Sequence, residues 1–404
     1  MKKLFMIGIA ALLLVAFTVP AMAKVKIGGI IFTDFYYVDR DRDNSRTWGF
    51  GDDPYQVTAI QVPYITRLNA RWTNEDNVGM FIEFGIGQTA QGVVDKNSNG
   101  VVLRHAYGWW DVNPNFQIMA GKSTTPFSPL NPSQMVGTNS GTLNIIGVGY
   151  GNYYAGRFAQ VRGTFKFGKM GRVELALVDP NASARIVNTF AKYYPWDLAG
   201  YTESVDYQTN TKLPRIDIGV PLYFGPIAIY PGFLWQQRTV DAIAPVPANA
   251  DDSLYTYIGS LGIKGGFGGF SFACEGNWGK NWGNTVGLIG TSAPAMFSAA
   301  TLNADGSTSD TTTYGYWFDV GYKFGPVNPH VIFSQMKSKT DLLGFGIDTS
   351  STLWGFSVPI DLAKGFRIRP ELMWYDDGEF QLQGQDVNSL GKYAIYGVQF
   401  QITF

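Results

Sequence analysis

Cysteine and histidine are the scarcest chemistry in this chain: one Cys, Cys274, and two His, His105 and His330, in 404 residues. A lone thiol forms no internal disulfide, and it excludes Cys-x-x-Cys-His haem attachment and thiolate metal clusters. Two histidines so far apart argue against a histidine-built metal centre. Neither sign of charge dominates. Lys plus Arg number 31 against 32 Asp plus Glu, so nothing marks nucleic acid as a partner. A nucleotide fingerprint is missing too, because Gly147-Val148-Gly149-Tyr150-Gly151 lacks the strand-turn-helix setting it requires. No cofactor, metal or catalytic residue is expected. Beyond the N-terminus no run of roughly eighteen apolar residues occurs, so the mature chain has no helical membrane span.

The one long apolar run lies at the start. Lys2 and Lys3 precede an apolar stretch from Leu4 to Val19, and Pro20-Ala21-Met22-Ala23 ends in the small-x-small pattern of a cleavage site. This predicts a signal peptide over 1–23 and a mature chain of 24–404. The other reading of the segment is an uncleaved membrane helix.

At the opposite end the chain stops on an alternating strand. Ala394, Tyr396, Val398, Phe400, Ile402 and Phe404 fall on one parity, with Gly397, Gln399, Gln401 and Thr403 between them. Successive strand side chains point to opposite faces, so the segment has one apolar and one polar face. The same parity recurs upstream. Val161, Phe165, Phe167, Val173, Leu175 and Leu177 oppose Gln160, Arg162, Thr164, Lys166, Arg172 and Glu174, and Tyr316, Phe318, Val320 and Tyr322 oppose Asp319 and Lys323.

Connections between these strands alternate in length. Short ones are turn-rich: Asn74 to Asn77, Val112 to Asn115, Gly168 to Gly171, Gly225-Pro226, Gly265 to Gly269, Gly325 to Asn328 and Leu362 to Gly365. Long polar ones lie between them, near 40–55, 91–99, 123–155, 179–211, 239–252, 281–311, 339–350 and 377–391. The pattern predicts an all-β, transmembrane, antiparallel up-and-down β-barrel of about sixteen strands, with short periplasmic turns and long external loops. Closure would satisfy every backbone hydrogen bond in lipid. A soluble secreted β-protein shares the composition but has no reason to segregate its loop lengths. Aromatics near strand ends, among them Trp72, Trp109, Trp110, Trp278, Trp354 and Trp374, fit interfacial girdles.

With the signal segment, the loop alternation, Leu103-Arg104-His105-Ala106-Tyr107-Gly108 and terminal Phe404, the chain resembles the general sixteen-stranded porins of the bacterial outer membrane. The resemblance implies a passive channel for small hydrophilic solutes and ions, set in outer-membrane lipid as a homotrimer. It also implies that the strand ending at Phe404 is the signal read by the barrel-assembly machinery. The third loop of such proteins folds into the lumen. Here that loop, 123–155, carries Phe127, Leu130, Met135, Tyr150 and Tyr153 and no acidic residue, so its apolar surface predicts packing against the inner wall as a pore constriction.

Inward parity assigns a basic set to the early strands, Arg67, Arg71, Arg104, Arg162 and Lys166, with Arg215 next and Arg367 and Arg369 near the seam. Inward carboxylates are Glu83, Glu174, Asp217, Glu275, Asp319 and Glu371. Rings of charge in a low-dielectric wall decide which ions enter, and this set predicts a weak anion preference. Local pairing of the arginines with Glu83, Glu174 or Glu371 would cancel the field. His105 falls on lipid-facing parity, with no serine near it on that parity for a hydrolytic pair. Asp39-Arg40-Asp41-Arg42-Asp43 reads as a solvated external loop. A second reading makes the barrel a scaffold around a partner such as a multihaem cytochrome.

Overall fold

The computed structural model describes residues 25–404, apart from 48, 64, 89–98, 134–149, 154–155, 181–206, 243–252, 286–291, 303–307, 343–344 and 383–384. The proposed signal peptide, and parts of most external loops, lie outside the described residues. Sixteen antiparallel staves close into one barrel. They are β1 Lys26–Arg40, β2 Tyr55–Gln61 with Arg67–Thr73, β3 Val78–Gln88, β4 Asn99–Asn113, β5 Phe116–Thr124, β6 Arg157–Lys166, β7 Arg172–Val178, and β8 Tyr207–Asn210 with Arg215–Gly219 and Leu222–Phe224. The second half comprises β9 Ile227–Ala242, β10 Ser253–Phe267, β11 Phe270–Lys280, β12 Thr312–Tyr322, β13 His330–Leu342, β14 Phe345–Ser357 with Ile360–Ala363, β15 Phe366–Leu382, and β16 Gln385–Ser389 with Lys392–Thr403.

Proline accounts for three of the four broken staves, since it has no N–H for the ladder. Pro63 interrupts β2, Pro214 and Pro221 interrupt β8, and Pro359 interrupts β14. In β2 the gap is filled by a side chain. The Thr66 hydroxyl accepts from the Phe32 N–H at 3.0 Å and donates to the Phe32 carbonyl at 3.2 Å.

The seam joins the last strand to the first, in register from Ile30↔Thr403 to Arg40↔Tyr393. Beyond it, Phe404 and Gly29 exchange backbone hydrogen bonds, each 3.2 Å. Ile31, Phe35, Val161, Phe165, Leu175, Phe318, Trp354, Phe400 and Phe404 are exposed on the outer surface, the parity the sequence predicts. Trp109 departs from the girdle reading. It is buried and faces inward, whereas its neighbour Trp110 is exposed.

Two external connections are shorter than composition predicts. β13 and β14 stay paired out to Leu342↔Phe345, and β15 and β16 out to Leu382↔Gln385. Their polar sequences mimic loops because hairpins that extend past the membrane need no apolar face. The first external segment is also ordered. Asp41 caps helix α1 (Arg42–Thr47) by accepting from the Asn44 N–H at 2.8 Å, and its other carboxylate oxygen accepts from the Lys392 N–H at 2.8 Å. Arg40 lies buried between the rings of Phe50 and Tyr393, 4.8 and 4.7 Å from their centroids. The Asp39–Asp43 run is therefore part of a folded clasp over the seam, with Arg40 buried and Asp41, Arg42 and Asp43 exposed to solvent.

Candidate functional site: the inner wall

Residues 125–133 and 150–153 of the third connection lie inside the barrel, held by carboxylates of the wall. Glu275 on β11 accepts from the Ser128 hydroxyl at 2.5 Å and from the Leu130 N–H at 3.3 Å. Asp319 on β12 accepts from the Ser133 N–H at 2.5 Å, and Asp377 on β15 accepts from the Tyr150 hydroxyl. A loop without carboxylates thus offers donors to carboxylates on the barrel, the reverse of loop acids facing wall arginines. Backbone meets backbone where Gly151 crosses β12. A Cβ on Gly315 would fall 2.5 Å from the Gly151 Cα, so only glycine fits.

Three buried clusters fix the apolar side of this loop. Tyr150 packs with Tyr36, Val38, Ile332, Leu353, Met373, Tyr375, Tyr393 and Ile395. Phe127 and Tyr153 pack with Leu234, Ile258, Trp282, Ala295 and Met336, and Leu130 packs with Ala228, Tyr230 and Trp317. Inward apolar residues on β9–β16 and β1 were not foreseen from parity alone, which assigned apolar residues to lipid. Trp282 and Ala295 belong to the connection after β11, so that segment also folds inward. Its buried Trp was the available signal. Burial pushes the Tyr153 phenol up to about 12.

The wall of β2–β7 carries no such cover among the described loop residues, and most of the predicted cations are there. Glu83 is shared by Arg67 at 3.3 Å and Arg104 at 2.8 Å. Glu174 is shared by Arg162 at 3.6 Å and Arg172 at 3.3 Å. Lys166 pairs with Asp111 at 3.0 Å. Arg71 pairs with a ring instead, its guanidinium 4.6 Å from the Trp109 centroid. Counting Arg157, seven cations (Arg67, Arg71, Arg104, Arg157, Arg162, Lys166, Arg172) stand on this wall against three carboxylates, Glu83, Asp111 and Glu174. Local pairing therefore occurs, but it leaves positive charge in excess.

The other predicted residues are dispersed. Arg215 and Asp217 form a fully buried bidentate pair at 2.9 and 2.8 Å. Arg367 donates to Asp361 at 2.6 Å near the short turn. Glu371 is buried and accepts from the Ser357 hydroxyl at 2.8 Å. Arg369 is also buried, and its Nε and Nη1 have no hydrogen-bond partner among the described residues.

His105 corrects the parity reading. The β3–β4 register passes from Glu83↔His105 to Phe84↔Leu103, which makes Arg104 an extra, bulged residue. Arg104 and His105 consequently both turn inward. The Arg157 Nε–H donates to His105 Nε2 at 3.0 Å, and Ser123 Oγ lies 3.3 Å from Nδ1. Since arginine can only donate, Nε2 is the acceptor of a neutral ring and Nδ1 carries the proton. A serine beside His105 was missed, because β5 supplies it across the sheet. Yet the ring donates toward that hydroxyl and cannot take its proton, so Ser123 is not an activated nucleophile.

No protein-family model matches the chain, and no curated protein matches it in sequence. Solved structures do. The outer membrane channel DcaP of Acinetobacter baumannii is similar at 15% identity and TM-score 0.65, over 96% of this chain and 99% of that one. An anion-selective porin from Comamonas acidovorans is similar at 14% identity and TM-score 0.57, over 95% and 100%. OmpT of Vibrio cholerae, in trimer form, is similar at 12% identity and TM-score 0.53, over 95% and 99%. At these identities the likeness concerns fold, and the fold is the closed sixteen-stranded barrel of the general porins.

Proposed function

We propose that the protein is a bacterial outer-membrane porin, a passive channel for small hydrophilic solutes and ions. The observation that carries this reading is the division of the lumen. The described third-loop residues, 125–133 and 150–153, pack on β9–β16 and β1, and the cationic wall of β2–β7 lies apart from them. No catalysis is needed, since diffusion past a charged constriction is the mechanism. Within the third loop, residues 125–133 and 150–153 narrow the lumen as part of the constriction. The charge excess on the wall of β2–β7 supports a weak preference for anions, as does the likeness to a porin described as anion-selective.

Export by cleavage after Ala23, insertion by barrel-assembly machinery that reads the strand ending in Phe404, and assembly as a homotrimer complete the proposal. The trimer form of one structural neighbour supports the last point. A scaffold role around a multihaem cytochrome would need a clear lumen, and Phe127, Leu130, Tyr150 and Trp282 occupy part of it. Recordings from purified protein in planar bilayers test the reading. A porin gives large, stable conductance steps, whereas silence with copurifying haem absorbance would overturn it.

A further inference from the structure

The cationic wall holds more than charge. His105, Tyr107 and Trp109 follow one another on the inner face of β4, and Phe81 joins them from β3. Phe81 lies 5.7 Å from His105 and 5.6 Å from Tyr107, and Tyr107 lies 5.9 Å from Trp109, between centroids. Trp109 packs tightly over β3. A Cβ on Gly79 would fall 2.2 Å from its ring, so glycine makes the seat. Arginines border this strip at both ends. Arg71 stands over Trp109 at one end, and Arg157 donates to His105 at the other. Phe81, His105 and Tyr107 are half-buried, so each keeps surface open to the lumen.

We propose that this strip is a track for aromatic carboxylates, a planar ring bearing one anionic group. The inference rests on the porin reading and goes further by naming a solute class. Arginines alone would accept any small anion, and rings alone would accept neutral arenes or sugar faces. Sugars also need free acceptors for their hydroxyls, but Glu83, Asp111 and Glu174 on this wall are each engaged by Arg or Lys. Ring faces at this spacing, interleaved with guanidinium forks, suit a solute that stacks and accepts hydrogen bonds from an arginine through its carboxylate in the same pose. Several adjacent, individually weak positions allow the solute to move from one to the next, as conduction requires.

The test compares two acids of equal charge and similar size, benzoate and cyclohexanecarboxylate, as blockers of chloride current through single channels in planar bilayers. The track predicts that benzoate blocks at concentrations about five- to tenfold lower, the gain expected from aromatic contacts. Phe81→Leu with Tyr107→Leu should bring that ratio close to one, and Arg71→Gln should weaken both blockers. Equal block by the two acids in the unaltered protein would overturn the proposal, even were the leucine variant not to fold. A ratio preserved in a folded leucine variant would overturn it as well. In both cases the chloride current persists and the porin reading stands. Absence of any current would remove that reading and the track together.

Discussion

Glu83 restrains the cationic wall: one carboxylate, 8% exposed at its side chain, faces both Arg67 and Arg104. Replacing it with Gln removes the negative charge and leaves the guanidiniums in place. We expect Glu83→Gln to raise the chloride-to-potassium permeability ratio by roughly twofold or more, read from reversal potentials. Unchanged selectivity would mean that these arginines do not face the permeating ions. Arg215 and Asp217 serve a different purpose. Both are fully buried, so Asp217→Asn should cost roughly 3–5 kcal/mol of barrel stability in urea unfolding, with little change in selectivity. At this scale the sequence was legible where strict alternation holds, as at Arg162 and Glu174. It failed at His105, because one bulged residue reverses the parity of everything beyond it, and bulges carry no periodic signature.

The third loop is an element defined by its anchors. Ser128, Leu130 and Ser133 donate to Glu275 and Asp319, so Glu275→Ala combined with Asp319→Ala leaves the buried Ser128 and Leu130 donors unsatisfied at about 1–3 kcal/mol each and releases the half-buried Ser133. The expected result is a first leg that detaches, seen as larger and noisier single-channel steps. Steps of unaltered size and noise would show that the apolar clusters alone hold the leg. The extended hairpins behave otherwise. Lys339 and Asp348 face each other across β13 and β14 with side chains 61% and 48% exposed, so Lys339→Ala should change stability by less than about 1 kcal/mol. The apolar composition of the third loop made its packing against the wall predictable. Its anchors were not, since they lie 145 to 227 positions away in the chain. The polar sequence around 339–350 hid a hairpin, because above the membrane strand and loop compositions converge.

For the whole molecule, closure between β1 and β16 turns sixteen alternating segments into one closed barrel. Alternating connection lengths and outward parity made that architecture readable along the entire chain. What parity could not foresee was the asymmetry of the interior. Apolar residues such as Leu234, Met373 and Ile395 face inward on one side, where loops cover them, while cations face inward on the other. That asymmetry underlies the account of transport. Its most direct test is the reversal potential of single channels in planar bilayers under a potassium chloride gradient. The account predicts stable steps that reverse on the chloride side, and a shift toward potassium when Arg67, Arg71 and Arg104 are replaced together by Gln. A folded barrel that passes no current, or one whose reversal potential ignores that triple replacement, would contradict it.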